Sequence, residues 1–271
     1  MRHAASLTDA DADSLWRTAH RLADVARPIT LRHFRSAALQ VSNKDAAGFD
    51  PVTEADRATE LAMREILADM RPDDAILGEE FGTTDGTSGL TWVLDPIDGT
   101  RAYLSGAPTW GVLIALCDAT GPHLGVIDQP YIGERFFGGA GQVGVSGPSG
   151  TQVLATRRTE ALSDAILFTT FPEVGSPEDR RGFEAVAEHV RLTRYGMDCY
   201  AYGLLAAGQI DLVIEAGLQA YDICAPIAVI EAAGGIVTDW QGAPAHAGGR
   251  ALAAANPSIH AAALDILRHI P

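Results

Sequence analysis

The rhythm of the chain changes once, and that change limits the architectures open to it. Up to about position 138, short β-like runs at 75–78, 91–95, 110–117, 123–128 and 134–138 follow one another, separated by Gly, Pro and Asp. Such a series predicts an antiparallel meander. A Gly-, Ser- and Pro-rich interval from Gly138 to Gly150 follows, and beyond it strand-like and helix-like segments alternate. The strands are expected near 165–169, 191–194, 211–215, 235–238 and 251–255, and the helices near 178–190, 199–208, 222–233 and 258–269. Alternation of this kind implies a layered α/β lobe. The reading is therefore an N-terminal α+β lobe over 1–145 and a C-terminal α/β lobe over 146–271, which 271 residues can supply. Two helices precede the meander. Leu15, Ala19, Leu22, Ala23 and Ala26 recur at helical spacing, and Pro28 is expected to end or kink that helix. After a polar loop from Ser42 to Asp50, Thr53 can cap a second helix with Ala55, Ala58, Ala62, Ile66 and Met70 facing inward, ended by Pro72.

With 47% apolar residues the chain can bury a sizeable core. Its 20 Lys and Arg against 35 Asp and Glu leave a net charge of −15, the wrong sign for gripping nucleic acid or an anionic membrane surface. An acidic protein can still bind an anionic substrate when clustered carboxylates hold divalent cations between them and it. The start, from Met1 to Asp13, has Asp where a signal peptide needs apolar residues, and no run of about 18 apolar residues occurs. Cys117, Cys199 and Cys224 are odd in number and widely spaced, so free buried thiols in a reducing cytoplasm are expected.

The sharpest local feature is Trp92-Val93-Leu94-Asp95-Pro96-Ile97-Asp98-Gly99-Thr100, a buried strand running into an acidic turn. Pro96 fixes its own φ, and a tight turn can gather the Asp95 and Asp98 carboxylates with the Ile97 carbonyl as hard oxygen ligands for Mg²⁺. Gly99 has no side chain to block a ligand, so the Gly99 and Thr100 amides can meet phosphate oxygens. An ordinary Asp-Pro, Asp-Gly turn would read the same way. Glu79 and Glu80 follow the strand-like Ala75-Ile76-Leu77-Gly78, and either can equally be a solvated surface acid. Asp222 sits where a helix N-cap belongs, ahead of Pro226 and the Gly234-Gly235 stop. Thr53 and Asp56 have capping-box spacing, and Asp56 could also accept a proton from a threonine hydroxyl that orients a metal-bound water. Gly139 to Gly144 spells G-x-G-x-x-G, but the continuation through Pro148 cannot begin the helix that a dinucleotide site requires.

Taken together, the segments Asp50 to Asp56, Gly78-Glu79-Glu80, Trp92 to Thr100, and Tyr221-Asp222 with its Glu231 to Gly235 ending resemble the inositol monophosphatase family in order and spacing. The resemblance covers nearly the whole chain. It implies an α/β fold of mixed lobes, a layered α-β-α-β-α sandwich of the inositol monophosphatase and fructose-1,6-bisphosphatase type. It also implies Mg²⁺-dependent phosphomonoesterase activity with two or three ions per site. By position, Glu79, Asp95, the Ile97 carbonyl, Asp98 and Asp222 look like metal ligands, and Glu80 does not. Thr100, with Asp56 behind it, looks like the hydroxyl that orients the attacking water. Glu79 joins them as a catalytic residue, while Gly99 and Thr100 look like the phosphate cradle and Asp222 also borders the substrate.

Within the family, Arg101 to Gly106, Gly125 to Pro130, Arg191 to Tyr202 and Gly208 to Glu215 look most like the histidinol-phosphatase branch, which serves histidine biosynthesis. Asp198 and Glu215 would then face the amine and imidazole of histidinol phosphate, although Asp198 can equally cap a helix starting at Cys199. Inositol 1-phosphate and related sugar or nucleotide phosphates are the alternative substrates. A non-catalytic metal-binding protein and an NAD-binding protein are the alternatives from other classes. A homodimer is implied by the resemblance alone.

Overall fold

The structure is a computed structural model, and it describes residues 9–36, 41–43, 51–171, 173 and 175–270. Most of the Met1 to Asp13 start and the 44–50 part of the expected loop, including Asp50, lie outside the described residues. Five layers stack in order. The first holds α1 (Asp9–His33) and α2 (Glu54–Met70). The second is an eight-stranded sheet built from β3 (Ala75–Gly78), β4 (Gly82–Thr84), β5 (Thr91–Asp98), β6 (Gly111–Asp118), β7 (Gly121–Gln129), β8 (Glu134–Gly139), β9 (Gln142–Gly147) and β10 (Gly150–Gln152), in the order β10-β9-β8-β7-β6-β5-β3-β4. From β5 to β10 it is the antiparallel meander expected.

The middle layer holds α5 (Tyr200–Ala206) and α6 (Ala220–Ala232). Behind it lies a five-stranded sheet of β11 (Ile166–Thr169), β12 (Leu192–Tyr195), β13 (Leu212–Leu218), β14 (Ile236–Thr238) and β15 (Gly249–Ala254), in the order β12-β11-β13-β15-β14. The outer helices are α4 (Pro177–Ala187) and α7 (Pro257–Leu267). This is the α-β-α-β-α sandwich.

Side-chain alternation explains the stacking. On β5, Trp92 and Leu94 join the core under α1 and α2, while Val93 joins the core around α5 and α6. On β6, Val112, Ile114 and Leu116 go one way and Leu113, Ala115 and Cys117 the other. A sheet covered on both faces reads as a continuous apolar run, and this one does. Helix α6 is buried all round from Ile223 to Ile230, as a helix between two sheets must be. One core joins both sheets through it. No helix among the described residues is long and apolar enough to cross a membrane.

Several expectations need correction. Helix α1 runs through Pro28 to His33, because burial of Leu15, Trp16, Leu22 and Ala26 against the sheet outweighs the lost backbone bond, about 3 kcal/mol for an interior proline. Ser42 and Asn43 belong to β1 (Val41–Asn43), which pairs with β2 (Pro51–Thr53). The first sheet continues through β10, past the division at 145/146. The buried face of α2 is rotated from the alanine stripe. It consists of Ala55, Asp56, Thr59, Glu60, Met63 and Leu67, and Met70 is exposed. The G-x-G-x-x-G segment Gly139 to Gly144 needs no such correction: it forms the tight β8–β9 hairpin, with Ala140 and Gly141 at positive φ, and runs into a strand rather than a helix.

Candidate active site

Strand β5 delivers two carboxylates to one side by breaking its own register. Asp95 pairs with Leu113 and Asp98 with Gly111, so three steps on β5 match two on β6. In a regular strand Asp98 would point away from Asp95. The bulge turns it back, and Pro96 sits where no ladder bond is required of it. The strand thus runs to Asp98 rather than stopping at 95. The Asp95 carboxylate accepts the Ile97 N–H at 3.0 Å, and the Ile97 carbonyl accepts the Thr100 hydroxyl at 3.2 Å.

Gly99 follows at φ 80 and leads into α3 (Thr100–Ser105). A side chain there would be strained, and its Cβ would lie 2.7 Å from the Asp198 carboxyl carbon.

Asp222 arrives from α6. It is not the N-cap but the third helical residue: Gln219 is the cap, and its N–H donates to the Asp222 carboxylate at 2.7 Å. Asp95, Asp98 and Asp222 each offer an oxygen within 4.8 Å of the others. Glu79, the residue after β3, lies outside that trio of mutually close oxygens and adds its charge to Asp95 and Asp222. Burial, then the neighbouring carboxylates Glu79, Asp98 and Asp222, push Asp95 well above the usual carboxylate range. Asp98 is raised by burial and by Asp222 and Asp198. Asp222 rises to about 7, first from burial. Hard anionic oxygens crowded this closely suit a divalent cation such as Mg²⁺, whose charge relieves both the repulsion and the desolvation.

The second lobe closes the cleft, which has a volume of about 550 Å³ and is bordered by Asp98, Gly99, Thr100, Asp198, Tyr202, Glu215 and Asp222. The Cys199 N–H donates to Asp98 at 2.7 Å, tying the lobes together at the site. Helix α5 starts at Tyr200 with Cys199 as its cap residue, so Asp198 does not cap it with its side chain. Instead the buried Asp198 carboxylate accepts the Thr109 hydroxyl at 2.5 Å. Glu215 lies at a bulge in β13 and accepts the Thr170 N–H at 2.9 Å, the Thr170 hydroxyl at 2.6 Å and the Tyr202 hydroxyl at 3.0 Å. Burial raises the pKa of both acids.

Asp56 is buried, and its Oδ2 accepts the Thr53 N–H at 2.8 Å and the Thr53 hydroxyl at 2.5 Å. The capping box is real, and the threonine bonded to Asp56 is Thr53, whereas the Thr100 hydroxyl turns to Ile97. Burial lifts Asp56 to about 7. Thr109, Thr170 and Tyr202 had no local signature, since each acts on a carboxylate brought near by folding. Glu60 was missed as well. Its signal was an acid four residues beyond Asp56 on the same helix.

A profile of the inositol monophosphatase family matches residues 11–270. The chain belongs to the inositol monophosphatase family. Among relatives, it is 41% identical over 239 residues to the chloroplastic bifunctional phosphatase IMPL2 of Arabidopsis thaliana, covering 87% of this chain and 67% of that protein. It is 36% identical over 252 residues to a histidinol-phosphatase of Streptomyces coelicolor, with 90% and 93% covered. Among solved structures, an inositol monophosphatase from Zymomonas mobilis superimposes with a TM-score of 0.83 at 40% identity, over 94% of this chain and 98% of that one. The family consists of phosphatases that use divalent metals, and the acidic cluster described above fits that chemistry.

Proposed function

We propose that this family member is a Mg²⁺-dependent phosphomonoesterase that hydrolyses L-histidinol phosphate to L-histidinol and phosphate, in cytoplasmic histidine biosynthesis. The observation that carries the substrate is the acidic wall of Asp198 and Glu215 bordering the same cleft as Asp98 and Asp222. A leaving alcohol that bears an amine and an imidazole is complementary to that wall. Similarity to the Streptomyces coelicolor histidinol-phosphatase supports the same reading.

In this proposal Glu79, Asp95, the Ile97 carbonyl, Asp98 and Asp222 hold two or three Mg²⁺ ions. Those ions would neutralise phosphate charge and lower the pKa of water at the site. The Gly99 and Thr100 amides at the start of α3 orient the phosphate. The Thr100 hydroxyl, which donates to the Ile97 carbonyl in this structure, would turn to direct the attacking water and pass its proton to Asp56, whose pKa burial lifts to about 7. A homodimer, which sedimentation would test, is part of the same proposal.

A second reading, inositol 1-phosphate, is favoured by the 40% identity to the Zymomonas mobilis enzyme. The deciding experiment measures phosphate release by purified protein from histidinol phosphate, inositol 1-phosphate and several sugar and nucleotide phosphates, with Mg²⁺ and with chelator. The expected outcome is Mg²⁺-dependent release with the highest kcat/KM on histidinol phosphate. Efficient hydrolysis of inositol 1-phosphate with none of histidinol phosphate would overturn the substrate assignment.

A further inference from the structure

Asp56, Glu60 and Arg64 follow one another at four-residue spacing on α2 and so share a face of the helix. Glu60 is completely buried, and a buried carboxylate is tolerable only where donors surround it, so its partners reveal its use. Its Oε2 accepts the Glu80 N–H at 2.6 Å, and its Oε1 accepts the Phe81 N–H at 3.2 Å and Arg64 Nε at 2.7 Å. Arg64 spans the rest of the turn, donating to the Gly82 carbonyl at 2.5 Å and to the Thr84 hydroxyl at 2.8 Å. At the other end, a Cβ on Gly78 would run into the Glu60 carboxylate, so the turn lies directly against it. Glu79 is the residue between Gly78 and Glu80. Its own N–H is fixed to the Leu94 carbonyl on β5, and its charge acts on Asp95 and Asp222.

We infer that Glu60, braced by Arg64, is a positioning residue: it holds the β3–β4 turn so that Glu79 reaches the carboxylate cluster, and so sets the affinity of that cluster for a divalent cation. The inference rests on the metal reading proposed above. Charge-assisted bonds from three donors converge on one rigid acceptor, a stronger constraint than the turn residues supply themselves. Outer partners of metal ligands act in this way, typically changing metal affinity ten- to a hundredfold when altered.

The test is Glu60→Gln, which puts an amide donor where an acceptor stood and leaves one backbone N–H facing another donor. Isothermal titration of the chelator-stripped protein with Mg²⁺ alone should show Kd raised about tenfold. The Mg²⁺ concentration for half-maximal hydrolysis should rise by a similar factor. A purely structural role would lower the melting temperature and leave Kd of the folded protein where it was. A folded Glu60→Gln protein with wild-type Kd therefore overturns the inference. If that variant does not fold, Arg64→Gln loosens the same brace from its partly exposed end. It should raise Kd about threefold, a weaker outer-partner effect, and an unchanged Kd there is equally decisive against the inference. Wild-type protein that takes up no Mg²⁺ defeats the metal reading itself, whereas tight wild-type binding with unaltered variants defeats the brace alone.

Discussion

The cleft has two sets of carboxylates, and they are held in different ways. Asp95, Asp98 and Asp222 each accept a backbone N–H, from Ile97, Cys199 and Gln219 respectively, and crowd one another within 4.8 Å. Across the cleft, Asp198 and Glu215 are met by hydroxyls from Thr109, Thr170 and Tyr202. Acids of the first set raise one another's pKa, whereas the hydroxyls lower those of the second set against the effect of burial. The lesson is one of division of labour. On the reading proposed above, the carboxylates left to repel each other would take a cation, and those supplied with their own donors would stay in place as a wall.

The most severe way to break this contrast is Asp98→Asn. It should lower kcat by about a thousandfold or more at saturating Mg²⁺, since a metal-held transition state is worth several kcal/mol. In chelator, at a pH above the raised pKa of Asp98, the same variant should melt at a higher temperature than wild type, because the ionised carboxylates of wild type then repel one another. Retention of half the wild-type rate would show that the cluster is not the metal site. Thr100→Val and Asp56→Asn come next, each costing about a hundredfold in kcat. Acting as one water-activating unit, they should lose little more together than singly. Fully multiplicative losses would leave Asp56 as a capping residue only.

The wall gives a smaller and more selective effect. Asp198→Asn should raise KM for histidinol phosphate about tenfold, the loss of one charge-assisted bond of roughly 1.5 kcal/mol, and hardly alter KM for a neutral aryl phosphate. An equal loss on both substrates would mark Asp198 as structural.

The last prediction concerns stability. Asp56 and Asp222 are lifted on folding to about 7 from the ordinary aspartate value of 3.8, so the folded chain binds more protons than the unfolded one between those limits. The stability they contribute is complete below about pH 3.8 and is lost as pH rises through 7. In chelator, melting temperature should therefore fall from pH 5 to pH 8. Saturating Mg²⁺ should flatten that slope, and a slope unchanged by Mg²⁺ would detach Asp222 from the cation.

What could be read from the chain was what is local in it. The Trp92 to Thr100 segment carries strand, bulge proline, acids and glycine in nine consecutive residues, so most of the cluster was visible there. Asp222 was recognised in the right helix turn but placed as the cap, because Gln219, the true cap, is an uncommon residue there. The inward face of α2 was misread for a physical reason: it buries Asp56, Thr59 and Glu60, polar residues whose partners come partly from the β3–β4 turn. Of the two outcomes expected at Pro28, the helix end did not occur, since a local rule about proline yielded to packing over a 25-residue helix. The donors to Asp198 and Glu215 lie 89 and 45 residues away for Thr109 and Thr170, beyond any pattern of spacing.

The bulge in β5 has a bearing on how this site can drift. A regular central strand commits every carbonyl to the ladder, but the extra residue between Asp95 and Asp98 leaves the Ile97 carbonyl to the Thr100 hydroxyl. That oxygen belongs to the main chain, so exchanging the Ile97 side chain does not remove it. Codon changes at position 97 are consequently screened by fit among Phe34, Tyr103 and Trp110. Loss of the oxygen itself requires a change in strand length, a much rarer genetic event than substitution.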